Sequence, residues 1–385
     1  MGEWRWVTAG ESHGPALVGV VEGVPAGIPL TREDVDRDLA RRQQGYGRGN
    51  RMKIEQDRVE ILGGVRHGRT LGSPVALLVR NRDYENWRES MSPDPGQPDR
   101  MITRPRPGHA DLVGGLKYGH RDLRNVLERA SARETTMRVA TAAVARAFLA
   151  PLAVTVAGHV VRIGSHTVPE RDYAAADFER VDASPVRVID REAESAMTAA
   201  IDAAKAAGDT LGGQFEIRVF GLPPGLGSYV QWHRRLESQL ALAMLSIPAM
   251  KGVEMGTGFR QTESTGSAVH DPIRWSAAQG FYRDTNRAGG IEGGITTGAP
   301  LVIRVGMKPL STLMKPLESV DIATKEPYQA QVERSDVTAV PSAVVVGEAM
   351  ALHVVAAAVL DKFGGDSLEE ILERWQLWFE RVRSF

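Results

Sequence analysis

Positive charge is concentrated between Thr103 and Arg138, in a stretch that begins as a stiff loop. Pro105 and Pro107 each push the preceding arginine into an extended conformation, so no helix can run through this part of the chain before His109. The segment sets eight fixed cations (Arg104, Arg106, Lys117, Arg121, Arg124, Arg129, Arg133 and Arg138) against four acids. The sequence therefore predicts an arginine-rich loop with a titratable histidine at its end.

A helix is predicted after this loop, from about Leu123 to near Pro151, because apolar residues then recur at helical spacing. Arg129 and Arg133 are four residues apart, which predicts that both lie on one face of that helix. A solvated basic helix with glutamate–arginine pairs would show the same pattern. This segment alone therefore does not decide in favour of a binding site.

A second basic stretch favours a binding site. Five cations fall in a window without an acid, and three glycines lie among them: Arg41, Arg42, Arg48, Arg51 and Lys53, with Gly45, Gly47 and Gly49. Glycine lets the backbone approach a ligand closely, and the guanidinium fork matches the geometry of carboxylates and phosphates. Two such stretches predict one small substrate with several negative charges.

Composition excludes several other classes of protein. The net charge of −1 over 385 residues gives no overall field toward nucleic acid or a membrane. Only 6% of the residues are aromatic and they are not interleaved with basic residues in the pattern of a protein that binds single-stranded nucleic acid. No cysteine is present, which excludes thiolate catalysis and cysteine metal sites, and no histidine motif predicts a metal. Without a membrane-length apolar run or a signal segment, we expect a cytoplasmic enzyme.

An early glycine-flanked loop, Gly10 to Pro15, presents Ser12 and His13. The letters G-E-S-H-G fit the nucleophile elbow of serine hydrolases, so a serine hydrolase is one alternative. That elbow requires a helix directly after the serine, whereas here a proline and a β-rich run follow. The hydrolase interpretation therefore fails, and the loop is expected to hold a serine and a histidine in place.

The remaining chain predicts a mixture of strands and long helices. Thr31 is the expected N-cap of a helix over Arg32–Ala40, and the proline-containing stretch 83–99 is expected to be an exposed, mobile loop. Long helices are centred near residues 136, 200, 239 and 352. The tail at about 367–383 is amphipathic, with Ile371 and Trp375 on its apolar face.

The last third is rich in glycine but lacks a nucleotide-binding fingerprint. Neither G-x-G-x-x-G nor G-x-x-x-x-G-K-[ST] occurs. The turn Lys308-Pro309-Leu310-Ser311-Thr312 offers one cation and two hydroxyls, which suits a phosphate or a flavin ring. Asp336 next to Arg334 has the pattern of a salt-bridged acid.

Six blocks taken together resemble the chorismate synthase family over nearly the whole chain. The blocks are Gly10–Gly14 (GESHG), Gly45–Gly49 (GYGRG), Arg104–Asp111 (RPRPGHAD), Glu128–Thr135 (ERASARET), Asn286–Gly290 (NRAGG) and Arg334–Asp336 (RSD). The resemblance implies an α+β fold, a β-α-β sandwich whose long helices are enclosed between antiparallel sheets. It also implies a single catalytic domain over residues 1–385 and a homotetramer.

The resemblance further implies a reaction and its cofactor. A 1,4-anti elimination removes phosphate from 5-enolpyruvylshikimate 3-phosphate and gives chorismate, with reduced FMN required although nothing is oxidised overall. The phosphate and the two carboxylates of that substrate are the anions that the two arginine stretches predict. Another enzyme of a phosphorylated carboxylic acid is the alternative. Whether the protein reduces its own flavin with NADPH stays open.

Roles for individual residues follow from the matched blocks. The substrate would be held by Arg42, Arg48, Arg51, Arg106 and Arg133. His13 would protonate the departing phosphate, His109 would protonate the reduced flavin, and Asp336 would help the flavin N5 to remove the C6 hydrogen. The FMN contacts implied are Arg129, Ala130, Ser131, Ala249, Gly293, Lys308, Pro309, Leu310, Ser311, Thr312 and Arg334. Thr141 and Pro248 depart from the family pattern.

Overall fold

The computed structural model describes residues 3–48, 56–330 and 336–385. Its helices are α1 Arg32–Gln43, α2 Asp111–Tyr118, α3 Arg124–Ala130, α4 Thr135–Leu149, α5 Arg191–Ala206, α6 Leu236–Leu245, α7 Gly266–Val269, α8 Val340–Phe363 and α9 Leu368–Ser384. Its strands are β1 Arg5–Ala9, β2 Ala16–Glu22, β3 Val59–Gly63, β4 Val65–Arg66, β5 Arg69–Thr70, β6 Val75–Arg80, β7 Thr155–Ile163, β8 His166–Thr167, β9 Gly213–Phe220, β10 Met250–Met255, β11 Ile273–Ser276, β12 Gly280–Arg283, β13 Ile291–Glu292, β14 Ile295–Thr296, β15 Leu301–Met307, β16 Glu318–Val320 and β17 Pro327–Gln329.

Two antiparallel sheets enclose a layer of helices. The first sheet has the order β1-β2-β6-β3 and the second β10-β15-β9-β7-β8. Helix α4 packs on β2, α8 packs on β7 and β9, and α1 packs against both helices. This arrangement confirms the predicted α+β sandwich.

Small residues let the helices approach both sheets closely. A Cβ on Gly19 of β2 would lie 2.6 Å from the Thr141 methyl on α4. A Cβ on Gly347 of α8 would lie 2.5 Å from the ring of Phe215 on β9. Because side chains alternate along a strand, β9 turns Phe215 toward the helices and the charged Glu216 to the opposite face.

Helix α8 is the central core element. It is long and apolar enough to cross a membrane, so the prediction that no apolar run has this length is wrong, but 89% of its most apolar window is buried inside the protein. Pro341 occupies its first turn, where the missing N–H costs no helical hydrogen bond, and Gly364 follows its last residue. Its composition is therefore that of a buried core helix.

The predicted continuous helix from Leu123 to Pro151 is wrong, because the chain leaves helical geometry at Ser131. Ser131 has an extended backbone (φ −66°, ψ 142°), and its hydroxyl accepts a hydrogen bond from the N–H of Arg133 at 3.2 Å. Such local side-chain bonding competes with the helix. Arg129 consequently ends α3 in an exposed position, whereas Arg133 is buried in a short 3-10 turn, and the two do not share one face.

Other predicted elements are confirmed with shifted ends. Thr31 caps α1 in a capping box with Asp34, and the helix continues to Gln43. Helix α6 begins only at Leu236, after a short 3-10 turn. The tail forms α9, whose Trp375 packs against Phe363 within the same chain, with ring centroids 5.1 Å apart.

Candidate active site

The loop between β1 and β2 is tightly folded and fixes Ser12 and His13. Gly10 has φ +105°, and a Cβ there would lie 2.5 Å from a carbonyl oxygen of β2, so only glycine fits. The N–H of Ser12 donates to the carbonyl oxygen of Glu128 at 3.0 Å. The loop is thus attached to the end of α3.

His13 is held by the buried carboxylate of Glu128. Its backbone N–H donates to Oε2 at 2.9 Å, and its Nδ1 lies 2.9 Å from both carboxylate oxygens. Arg124 donates to the same carboxylate at 3.1 Å. Burial alone would raise the pKa of Glu128, but the hydrogen bonds from His13 outweigh it and hold this pKa below its usual value.

The ionised state of Glu128 determines which ring nitrogen of His13 is free for chemistry. A carboxylate can only accept hydrogen bonds, so Nδ1 of His13 must carry a proton and donate it. Nε2, on the other edge of the ring, remains to exchange a proton with a ligand. The His13 side chain is 17% exposed, which leaves it accessible.

A second cluster gathers predicted arginines around Asp57. Arg133 donates to Asp57 at 2.7 and 2.9 Å and to the Asn81 side-chain oxygen at 2.9 and 3.0 Å. Arg42 lies 3.8 Å from Asp57 and donates to the Thr135 hydroxyl at 3.0 Å. All three charged residues are buried, so α1 and the start of α4 bring the two arginine stretches together.

Positive charge is crowded at this point. Burial, followed by the neighbouring charge of Arg48, lowers the pKa of Arg42 to about 9, although Asp57 opposes the shift. Arg133 lowers this pKa further. Arg48 in turn pairs with Asp336 at 3.1 Å. The three arginines thus lie close together, and an anionic ligand would stabilise the charged form of Arg42.

Asn81 joins the arginine cluster to the histidine loop. Its side-chain oxygen accepts from Arg133, while its amide nitrogen donates to the carbonyls of Glu11 at 3.1 Å and Gly14 at 2.7 Å. These two carbonyls flank His13 in the sequence. The first histidine and the arginines therefore belong to one connected site.

The second predicted histidine also has a carboxylate partner. His109 Nδ1 lies 2.6 Å from Asp111, and the guanidinium of Arg106 donates to Asp111 at 2.9 and 3.1 Å. Burial would raise the pKa of Asp111, but the hydrogen bonds from His109 and Arg106 hold it well below its usual range. The nearest Arg106 nitrogen is 3.2 Å from His109 Nδ1.

The predicted turn Lys308–Thr312 closes on this second histidine. The hydroxyl of Thr312 accepts from Arg106 at 3.3 Å, and the Lys308 amine donates to the carbonyl of Gly108. Burial, with the nearby Lys251 charge, lowers the pKa of Lys308. The turn therefore places a partly desolvated cation and hydroxyls beside His109.

Hydrogen bonds connect the Lys308–Thr312 turn to the neighbourhood of the Arg48–Asp336 pair. The hydroxyl of Thr210 donates to the Leu310 carbonyl at 2.8 Å. Leu211 N–H donates to the Val337 carbonyl at 2.9 Å, and Val337 N–H donates to the Gly47 carbonyl at 2.8 Å. Gly47 and Val337 directly adjoin Arg48 and Asp336 in the sequence. The two histidine clusters thus lie on one continuous set of contacts.

The other predicted flavin residues do not all lie beside the Lys308–Thr312 turn. Ala249 accepts from the N–H of Lys308 at 3.0 Å and so adjoins the turn, and Ser131 contacts the Ser12 hydroxyl at 3.2 Å. Ala130 precedes Ser131 at the end of α3. Gly293 lies at the exposed tip of the β13–β14 hairpin.

Arg129 is already engaged by the protein. Its guanidinium donates to the carbonyls of Thr8 and Gly10 at 3.0 Å and ties α3 to β1 and the histidine loop. Arg51 and Arg334 lie outside the described residues. Within the described ranges no three His, Asp or Glu side chains are grouped as metal ligands.

Sequence reasoning missed the residues that hold the predicted ones. These are Glu128, Asp111, Asp57, Asn81 and Trp87, whose ring stacks on His13. Glu128 and Asp111 lie inside the ERASARET and RPRPGHAD blocks, so their positions in these blocks could have identified both as site residues. Asp57 and Asn81 stand in no block, and nothing local in the sequence marks them.

A chorismate synthase family model matches residues 4–360. The chain belongs to the chorismate synthase family. It is 56% identical to the chorismate synthase of Symbiobacterium thermophilum, over 98% of this chain and 99% of the relative, and 55% identical to that of Geobacillus thermodenitrificans, over 99% of each. A crystal structure of chorismate synthase superimposes with a TM-score of 0.82 at 41% identity and covers 100% of this chain and 99% of the other.

Family membership decides the reaction. The enzyme is a carbon–oxygen lyase of the shikimate pathway that converts 5-enolpyruvylshikimate 3-phosphate to chorismate and phosphate, as predicted. Its partner is therefore a small-molecule substrate. The alternative, a different phosphorylated acid, is disfavoured.

Proposed function

We propose that the substrate's phosphate and carboxylates bind to Arg42, Arg48, Arg51, Arg106 and Arg133. The crowding of Arg42, Arg48 and Arg133 carries this proposal, because burial and the charges of the other two arginines lower the pKa of Arg42, and a bound anion would oppose this shift. Arg106 differs, since Asp111 already occupies its guanidinium from one side. We expect it to add a contact near His109.

His13 is proposed as the acid that protonates the departing phosphate. The phosphate leaves with the electrons of its carbon–oxygen bond, so a proton delivered from Nε2 of His13 stabilises the developing charge. Glu128 holds the ring through Nδ1 and stabilises its cationic form. A histidine set beside a cluster of arginines suits this step, because the arginines hold the phosphate that receives the proton.

His109 and Asp336 are proposed for the remaining proton transfers. His109 is oriented by Asp111 in the same way that His13 is oriented by Glu128, and it lies beside the turn proposed to hold the flavin. Asp336, held by Arg48 at 3.1 Å, would help the flavin N5 to remove the hydrogen at C6. The elimination would thus use proton-transfer residues at two separate positions.

Reduced FMN is the proposed cofactor. The residues present fit it: Lys308, Lys251 and the hydroxyls of Ser311 and Thr312 form a donor set for its phosphate, and burial, followed by the charge of Lys251, lowers the pKa of Lys308, which a bound anion would oppose. Ala130, Ser131, Ala249, Gly293, Pro309, Leu310, Arg129 and Arg334 complete the proposed contacts. When bound, reduced FMN supplies electron density that favours carbon–oxygen cleavage.

An anaerobic assay tests the proposal. Purified enzyme receives 5-enolpyruvylshikimate 3-phosphate with reduced FMN, and phosphate and chorismate are followed together. We expect both in equal amounts, and neither with oxidised FMN. Turnover at the same rate without flavin would overturn the cofactor assignment. Repeating the assay with NADPH and oxidised FMN shows whether the enzyme reduces its own flavin.

A single catalytic domain, a homotetramer and a cytoplasmic location remain proposals. One buried core extends from Trp4 to Trp375, which supports a single domain. Large exposed apolar side chains, such as Tyr229, Trp232 and Trp275, support association with other subunits. Light scattering of the purified enzyme checks the tetramer, and a monomer at micromolar concentration would contradict it.

A further inference from the structure

Trp87 reaches the active site from the segment that follows β6. Its ring lies over His13, with centroids 4.1 Å apart and planes inclined by 28°. The guanidinium carbons of Arg100 and Arg124 lie over the Trp87 ring at 4.4 and 4.9 Å. The indole N–H donates to Asp83 at 3.1 Å, which anchors the ring within its own segment.

These side chains form one assembly around the Glu128 carboxylate. Glu128 bonds both His13 and Arg124, and both of these also contact the face of Trp87. An aromatic face attracts cations, and more strongly where water is excluded. Among the described residues, the charged groups of this assembly are Glu128 and Arg124 from α3 and Arg100 and Asp83 beside the indole, and the exposed Glu11 lies in the loop of His13 itself.

We propose that Trp87 is a positioning residue for His13, holding the imidazole against Glu128 so that Nε2 faces the substrate. This proposal rests on the role of His13 as the acid given above. Glu128 fixes Nδ1 but leaves the ring free to tilt about that hydrogen bond. A flat contact on the ring face removes this freedom and also shields the ion pair from water.

Substitutions of Trp87 test the proposal. Loss of one aromatic contact predicts a kcat about 3- to 10-fold lower in Trp87→Ala, with KM within about 2-fold of wild type. Trp87→Phe, which keeps a stacking ring, should restore most of this loss. Trp87→Leu introduces a side chain similar in size to phenylalanine but without an aromatic ring, and its kcat should be as low as that of Trp87→Ala.

Fluorescence gives a readout that does not depend on turnover. A histidine side chain in contact with an indole quenches its fluorescence, so the Trp87 contribution, taken as the difference between wild type and Trp87→Phe, should become brighter when His13→Ala is added to both proteins. Trp6→Phe is the matched control: Trp6 stacks on His353 at 4.4 Å, so its contribution should not change with His13→Ala.

Each failure has a distinct meaning. Equal kcat values for Trp87→Leu and Trp87→Phe, or a wild-type difference signal that does not respond to His13→Ala, would overturn the positioning role. Full turnover in His13→Ala would instead overturn the proposed acid, while the fluorescence difference would still report whether the stack exists.

Discussion

Two tryptophan–histidine stacks in this enzyme share their ring geometry but differ in what touches the histidine nitrogens. Trp87 lies on His13 at 4.1 Å, and Trp6 lies on His353 at 4.4 Å with planes inclined by only 11°. His353 lies on α8, where α4 and the first sheet enclose it, and it is 3% exposed. His13 lies in a loop and is backed by a carboxylate.

The core histidine has both nitrogens occupied by neutral groups. The Trp4 indole N–H donates to Nδ1 at 3.2 Å, and the Thr141 hydroxyl lies 3.2 Å from Nε2. Since an indole nitrogen can only donate, Nδ1 carries no proton, and Nε2–H is left to donate to the Thr141 hydroxyl and the Arg138 backbone. The comparison shows that stacking alone does not make a histidine reactive. An ionised partner and one accessible nitrogen do.

The largest expected effect is a loss of activity when His13 is removed, which removal of His353 should not cause. His13→Ala should lower kcat by about 10²- to 10⁴-fold while the protein stays folded, because it removes a positioned proton donor. His109→Ala should lose activity on the same scale. Steady-state assays and thermal unfolding of both variants check this prediction. His353→Phe should show the opposite pattern, with lower stability and near-normal turnover per folded enzyme.

The next effect tests the carboxylate behind His13. Glu128→Gln keeps a hydrogen-bond acceptor but removes the charge, and loss of one charge-assisted hydrogen bond predicts a kcat about 10- to 100-fold lower. Glu216→Gln is a matched control, since Glu216 is equally buried and pairs with Arg218 at 2.8 Å on the second sheet. Its turnover should match wild type. Equal losses in both variants would contradict a specific role for Glu128.

The sequence predicted the cations of this site better than the groups that hold them. Arg42 and Arg133 stand in recognisable basic blocks, and the structure joins them. Asp57 has no such block, because one carboxylate carries no local pattern and its partner Arg133 is 76 residues away. The fold class was predicted from the resemblance of the six blocks to the family, and the long helices predicted from periodicity agreed with it. The break at Ser131 was not predicted, because it depends on a local hydrogen bond that periodicity does not register.

The third effect is a pH dependence that belongs to the core stack. Burial lowers the pKa of His353 from 6.5 to about 3, so below pH 6.5 the unfolded chain binds a proton that the folded enzyme excludes. The free energy of unfolding should therefore fall by about 1.4 kcal/mol from this residue between about pH 7.5 and pH 5.5. Urea midpoints of wild type and His353→Phe check this. The variant should lose less over that interval, and parallel losses would refute the neutral core histidine.

The smallest effect asks whether the hydroxyl or the methyl of Thr141 matters at the core stack. Its hydroxyl donates to the Met137 carbonyl at 2.7 Å and accepts from His353, while its methyl fills the space over Gly19. Thr141→Ser keeps the acceptor and loses one methyl, which predicts a cost of about 0.8 kcal/mol in unfolding free energy. Thr141→Val keeps the volume but removes the hydroxyl, so His353 Nε2–H keeps only the Arg138 backbone as a partner, and no change of tautomer can replace the lost bond because Trp4 donates to the other nitrogen. It should therefore cost about 1–1.5 kcal/mol. A serine variant less stable than the valine variant would show that packing against Gly19, and not the hydrogen bond, holds the core histidine in place.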